Sequence, residues 1–353
     1  MNKGIPVILM LLFVLLVTSL KAQDPHFSQF YSNPLLLNPA LTGTSNGLYR
    51  VSATYRDQWR SALDDPLKTY TVSGDVSFPV SKGARSLSDK FAFGFNFFSD
   101  RVSTFDFNST QISLFGAYHK ALDNATKQYL SAGIYLGIAQ KNLNYEDLSF
   151  EDQFNAIDGY TLGTGEFLPA NNFGYGDMGV GVNYTISPSS NSTFYAGIAM
   201  FHLNSPNISF YKSDQTNIEL TRENKLFRKW SGSIAASFKT TEVWSVEPRA
   251  LFLLQGPHKE FNLGSNFKYQ LDSDGSKFFH FGPWIRFTDN IDGTNLESFV
   301  MAVGFETGKF LLGFSYDHSI NDLTSDRLGL NAFEFTISYF GDYDNDSGYC
   351  PRF

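Results

Sequence analysis

Apolar and polar residues alternate with a period of two along most of the chain between residues 48 and 340. Tyr70, Val72, Val76 and Phe78 oppose Thr71, Ser73, Asp75 and Ser77, and Phe91, Phe93, Phe95 and Phe97 repeat the pattern. Leu130, Ala132, Ile134, Leu136 and Ile138 oppose Ser131, Gly133 and Gly137, and near the end Phe333, Phe335, Ile337 and Tyr339 oppose Glu334, Thr336 and Ser338. Successive side chains of a strand point to opposite faces, so each run reads as a strand with one apolar and one polar face. The runs predict strands over 48–58, 68–79, 90–99, 105–119, 128–141, 173–186, 192–203, 228–239, 243–254, 259–271, 277–288, 297–307, 309–320 and 329–340. That is about fourteen strands of roughly ten residues, the length a tilted strand needs to cross an outer membrane. An even count brings both ends of a barrel to the periplasmic side. The expected fold is therefore an all-β, transmembrane, antiparallel outer-membrane barrel over 47–340, with both termini periplasmic.

The connections agree. Residues 142–172 and 204–227 are long, whereas Ser187–Asn191, Thr240–Glu242, Asp272–Ser276 and the turn at Gly308 are short. Long external loops and short periplasmic turns mark such barrels. The stretch Ser81–Asp89 is long for a periplasmic turn. A soluble β-sandwich or propeller would bury similar alternation between sheets, but strand number, strand length and loop asymmetry favour the membrane.

Composition narrows the picture. Aromatics make up 16% of the chain, with 36 Phe and 18 Tyr, and there are 29 Gly, a mixture suited to strands and barrel bends rather than helices. Lys3, the apolar run Ile5–Leu20 and the small residue Ala22 read as a signal peptide over 1–22. Beyond it no apolar run is long enough to cross a bilayer as a helix. The net charge of −8 and the lack of any Lys/Arg run exclude nucleic acid as a partner. A single cysteine, Cys350, excludes an intramolecular disulfide and leaves a free thiol or an intermolecular partner. The polar face carries Arg50, Asp75, Glu247, Arg249, Lys268 and Glu334 among small uncharged residues, which suits a filled or narrow lumen better than a wide channel.

Motifs for chemistry are weak. Gly174-Tyr-Gly176-Asp-Met-Gly179 has dinucleotide-binding spacing but opens a strand, where the mechanism needs a helix N-terminus. The acids Asp342, Asp344 and Asp346 alternate as in a calcium loop, yet Gly348 stands seventh and Phe353 twelfth, so a solvated acidic tail is the plainer reading. The histidines lack metal-ligand spacing, and no Gly-x-Ser-x-Gly elbow occurs. The expectation is no cofactor, no metal and no catalysis; a hydrolase assembled only in space is the remaining enzymatic alternative.

The segment before the first strand, 23–46, carries Asn33-Pro34 and Asn38-Pro39, which favour turns, together with Phe27, Phe30, Tyr31 and Leu35–Leu37. Such a segment either packs in or under the barrel, where Gln29 and Asn38 suit polar lumen groups, or presents a docking surface. Arg56 and Trp59 end the first strand near the outer rim, Trp59 serving as a membrane-interface anchor or a partner contact. The tail 341–353 is expected in the periplasm, its Cys350-Pro351-Arg352-Phe353 ending suited to a short docking peptide.

These residues carry a resemblance. Phe27, Gln29, Asn33, Pro34, Asn38, Pro39 and Gly43, then Arg56, Gln58 and Trp59, and finally Cys350, Pro351, Arg352 and Phe353 resemble the PorP/SprF family of type IX secretion system membrane proteins of Bacteroidetes. The layout matches over the mature chain, although Leu63–Asp65 lack a small glycine-containing turn before Pro66. The resemblance implies a non-enzymatic outer-membrane component of the secretion and gliding machinery. Its implied partners are periplasmic ring or peptidoglycan-linked subunits, secreted surface adhesin cargo and outer-membrane lipid. A passive or ligand-specific diffusion channel is the alternative.

Overall fold

Side-chain alternation becomes the two faces of a closed wall. The computed structural model describes residues 24–342, apart from 46, 61–62, 64, 81–88, 104–105, 124–126, 146–147, 167, 211–223, 291–292 and 321–329. The expected signal peptide and Cys350, Pro351, Arg352 and Phe353 lie outside the described residues, as does most of the acidic tail.

Fourteen strands follow in chain order: β1 (Tyr49–Gln58), β2 (Leu67–Pro79), β3 (Lys90–Val102), β4 (Phe107–Asp123), β5 (Gln128–Leu143), β6 (Asn172–Ser189), β7 (Ser192–Phe201), β8 (Lys229–Lys239), β9 (Trp244–Gln255), β10 (His258–Gln270), β11 (Lys277–Asn290), β12 (Gly293–Thr307), β13 (Phe310–Ser319) and β14 (Ala332–Gly341). Each pairs antiparallel with its sequence neighbours, and β14 pairs back onto β1, setting Glu334 opposite Arg56. Closure leaves no unpaired edge, the condition for a sheet to stand in lipid. This is an outer-membrane β-barrel. β4 runs to Asp123 and β12 starts at Gly293, each four residues beyond the alternating run. The ladder there continues past the apolar band, where Lys120, Asp123, Thr294 and Asn295 no longer alternate.

The apolar face points outward. Phe91, Phe93, Phe95 and Phe97 are 38–58% exposed, while Asn96, Ser113 and His119 on the opposite face are buried. Only lipid makes an outward wall of Phe, Leu and Ile favourable. Aromatic rings pair at one rim, Trp244 with Tyr269 at 4.7 Å and Phe310 with Tyr339 at 4.9 Å, and at the other, Tyr55 with Tyr70 at 5.0 Å. These are the interfacial girdles of a barrel. The long connections after β5 and β7 share the rim at which β1 ends, the outer one on this topology. That rim also carries the two-residue turn between β9 and β10, where Gly256 has φ 60°, so it is uneven in height. The Gly174–Gly179 motif lies within β6.

The buried core of this protein is not between layers of wall. It is inside the barrel, where residues 24–45 lie against the polar face.

Candidate functional site

Residues 24–45 run the length of the lumen. Gly43, at φ 74°, meets the wall near the periplasmic rim, donating its N–H to Asp75 Oδ2 at 2.6 Å. Asp24 sits near the outer rim, against Gln255 at the end of β9. Two Asn-Pro steps shape the path. Proline disfavours helix in the residue before it and is preorganised for the first helical position. Asn33-Pro34 accordingly starts one helical turn, α1 (Pro34–Leu37), and Asn38-Pro39 starts a 3-10 turn over Pro39–Leu41. Asn38 is extended, with φ −161° and ψ 121°, and its Oδ1 accepts from Ala40 N–H at 2.9 Å. Its Nδ2 donates to the Val182 carbonyl at 2.9 Å, so one side chain both caps the turn and ties it to β6.

The wall makes room for the plug. Gly133 and Gly181 face it, and a Cβ at Gly133 would stand 2.5 Å from Ala40 N and closer still to the Pro39 carbonyl. Apolar residues on the normally polar face complete the fit. Phe30, Leu37 and Leu41 pack on Leu251, Trp284 and Val300, while Leu35 packs on Phe115, Tyr135 and Phe201. Trp284 meets the Phe30 ring edge-on at 5.2 Å and stacks on Tyr31 at 5.5 Å. The plug thus bridges both sides of the lumen.

A buried ion cluster locks it in place. The backbone N–H groups of Ser28 and Gln29 donate to the two oxygens of Glu334 at 2.6 and 2.8 Å. Arg56 donates to Glu334, to Ser28 Oγ at 2.7 Å and to Asp317 at 3.2 Å. Arg286 reaches Ser28 Oγ at 2.6 Å and Asp317 at 3.2 Å. Ser28 Oγ in turn donates to Asp317, so its hydroxyl is fully used. Charge-assisted bonds of this kind are strong and directional. Beside the cluster, burial pushes His26 down to about 4, even though Glu260 lies 3.2 Å away. Arg56 is 2% exposed and turned inward, so it belongs to the lumen lock and not to the rim surface, as its place near the end of β1 had suggested.

A second latch holds the outer end. Asp24 accepts from His202 Nε2 at 2.8 Å, Lys229 Nζ at 2.7 Å and Gln255 Nε2 at 3.2 Å. Burial opposes ionisation of Asp24, but the His202 and Lys229 cations outweigh it and hold the carboxyl well below its usual range. Burial likewise opposes charge on His202, and Asp24 and Asp177 on either side outweigh it, raising His202 to about 9. A histidine raised above its unfolded value near 6.5 contributes stability that is complete below that value and lost as pH rises through the folded one. The difference is worth about 3 kcal/mol. Residues 24–28 should therefore loosen progressively between about pH 6.5 and 9. Amide exchange in this segment, corrected for intrinsic rates, should accelerate over that interval, and His202→Gln should remove the dependence.

Of the residues singled out from the sequence, Phe27, Gln29, Asn33, Pro34, Asn38, Pro39 and Gly43 meet in the plug, and Arg56 meets them from the wall. Asn33 Nδ2 donates to Thr54 Oγ1 at 3.1 Å, and Phe27 packs edge-on against Phe98 at 6.4 Å. Gln58 and Trp59 stand apart at the outer rim, where Trp59 is 37% exposed with φ 61°. Arg50, Asp75, Glu247, Arg249 and Lys268 face the lumen in pairs: Arg50 with Asp75 at 2.8 Å, Arg249 with Glu247 at 2.8 Å, and Lys268 with Glu306 at 2.6 Å. Sequence reasoning missed Asp24, His26, Ser28, His202, Glu260, Arg286 and Asp317. For Glu260, Arg286 and Asp317 the usable signal was a charge on the inward phase of an alternating strand.

Over residues 19–339 the chain matches the family model described as type IX secretion system membrane protein PorP/SprF. No curated protein matches it. Among solved structures it is similar to a FadL homologue of Pseudomonas aeruginosa, with a TM-score of 0.51 at 11% identity, covering 87% of this chain and 94% of that one. It is also similar to the toluene transporter TbuX of Ralstonia pickettii, with a TM-score of 0.47 at 11% identity, covering 87% and 92%. At 11% identity the likeness to the FadL homologue is one of barrel fold alone.

Proposed function

We propose, on the premise that the chain belongs to the PorP/SprF family of type IX secretion system membrane proteins, that it is a plugged, non-enzymatic platform of the secretion and gliding machinery. In this reading the barrel holds secreted adhesin cargo at its outer rim or anchors the periplasmic ring complex at its inner rim. The family is one of secretion components rather than enzymes. The observation that carries the reading is the plug. A lumen filled by the chain's own segment, fastened by hydrogen bonds from Ser28 and Gln29 to the buried wall carboxylates Glu334 and Asp317, is built to stay closed rather than to pass solutes. A passive diffusion channel would have to break those hydrogen bonds at each opening.

Deletion of the gene should abolish surface display of at least one secreted protein, and the purified barrel should be silent in planar bilayers. An unchanged set of surface proteins, or a steady open conductance, would defeat the reading. Photo-crosslinkers separate its two forms. Ile157 is 87% exposed in the external connection after β5, and Thr241 is exposed in the opposite turn between β8 and β9. Capture of a secreted adhesin from Ile157 favours cargo holding, and capture of a periplasmic subunit from Thr241 favours anchoring.

A further inference from the structure

We propose that the outer half of the lumen, beside the plug, binds a small amphipathic carboxylate, with its charged end on Lys141 and Ser109 and its apolar body among aromatic rings. A cavity of about 200 Å³ lies there. Its floor is plug, including Phe30 and Leu36, and its wall includes Phe98, Phe115, Tyr135 and Phe201. Leu226, packed with Phe173 at the outer end of β6 and with Ile208 of the connection after β7, also lines it. Asp24, His26, Asp100 and Lys229 also line it; an apolar cavity of about 150 Å³ holds a benzene. By proportion the body here is on the order of eight carbons.

The polar end is what gives the site its sign. Lys141 Nζ has no hydrogen-bond or ion-pair partner among the described residues. Arg50, Arg56, Lys229, Arg249, Lys268 and Arg286, also turned into the lumen, are each paired with a carboxylate. Ser109 stands directly across from Lys141 in the β4–β5 ladder and lines the same cavity, and its hydroxyl also has no partner among the described residues. Asp100 is next in the row on β3, but it accepts from Thr69 Oγ1 at 2.7 Å and forms no ion pair with Lys141. Two adjacent unused donors, one of them cationic, at the edge of an apolar cavity suit a two-oxygen anion with a hydrocarbon body. Asp24 and Asp100 attract the half-buried Lys141 ammonium only from a distance, and the ligand head would give it a direct counter-ion. Ligand pockets commonly combine an apolar body site with a few convergent polar groups.

The inference is independent of the secretion reading, and either can fail alone. The test uses the full mature chain in lipid nanodiscs, with empty discs as the blank, and titrates octanoate and octan-1-ol calorimetrically. One saturable octanoate site is expected, with octanol binding more weakly. Lys141→Met should weaken octanoate at least tenfold and erase its advantage over octanol. Leu36→Trp, which fills the cavity from the floor, should abolish binding of both. Ser109→Ala changes a single hydroxyl, should give an intermediate loss, and serves if Lys141→Met does not insert. Absence of saturable heat above the blank overturns the proposal. So does equal affinity for octanoate and octanol, or unchanged binding in Lys141→Met or Leu36→Trp.

Discussion

Arg56→Met should unlock the plug, turning a barrel that is silent in planar bilayers into one that conducts in discrete steps and unfolds at lower temperature. Arg56 is 2% exposed, and its partners Glu334 and Asp317 are 0% and 2% exposed. Removing one member of a buried ion cluster strands the others as uncompensated charges, at a cost of about 3–5 kcal/mol. Ser28 would lose a donor at the same moment, and the Ser28 and Gln29 N–H groups would be left on a Glu334 that no longer has its cation. The strain therefore falls on the junction between plug and wall, while the β1–β14 ladder remains intact. Arg101→Met is the control. Arg101 is 56% exposed and its partner Asp106 42%, so its loss should leave conductance and melting almost unchanged. Replacing the opposing charge as well, in Arg56→Met with Glu334→Gln, should recover part of the lost stability. A silent, fully heat-stable Arg56→Met protein would show that the ion cluster is not what holds the plug.

The barrel was legible in the sequence because lipid imposes a simple rule on its outer face. Runs such as Phe91, Phe93, Phe95 and Phe97 have no role except to meet hydrocarbon, and their period of two survives at every strand. The plug obeys no such rule. Its conformation comes from two Asn-Pro steps and a set of contacts to distant wall residues, Asn38 to Val182 and Ser28 to Glu334 among them. These pairs are separated by more than a hundred residues, and nothing local announces them. The wall did carry one readable sign. Phe115, Leu251, Trp284 and Val300 lie on the inward phase of their strands, where a water-filled lumen would want polar residues. All four are buried against the plug. An apolar residue out of phase in a barrel strand is thus a sign that something apolar fills the interior. Arg56 shows the opposite limit. Its position near the end of β1 pointed to the rim, and only its phase, inward and facing Glu334 across the ladder, reveals its place in the lock.

Gly133→Val tests the fit between plug and wall without touching a charge. Gly133 lies in β5 on the inward face, and an added Cβ would meet Ala40 N at 2.5 Å and the Pro39 carbonyl more closely still. These are backbone atoms of the 3-10 turn and cannot swing aside as a side-chain tip would. Valine is otherwise well suited to a strand, so the wall itself should lose nothing, and the penalty must appear in the plug. Ala40 and Leu41 are fully buried and Asn38 nearly so. Displacing the turn would expose Leu41, worth about 1.5–3 kcal/mol, and break the Asn38 bonds to Val182 and Ala40 at roughly 1 kcal/mol each. The expected total is about 3–5 kcal/mol, read as a lower melting temperature and protease cleavage within residues 24–45. Gly116→Val on the neighbouring β4 meets nothing within 4 Å and should be neutral. The decisive comparison is with the plug removed. If Gly133 is a socket, Gly133→Val should have no further effect in a barrel lacking residues 24–45. If it destabilises that barrel equally, the glycine serves the strand and not the plug. A plug displaced by this route should also open the lumen, so Gly133→Val and Arg56→Met should share a conducting phenotype although one acts by volume and the other by charge.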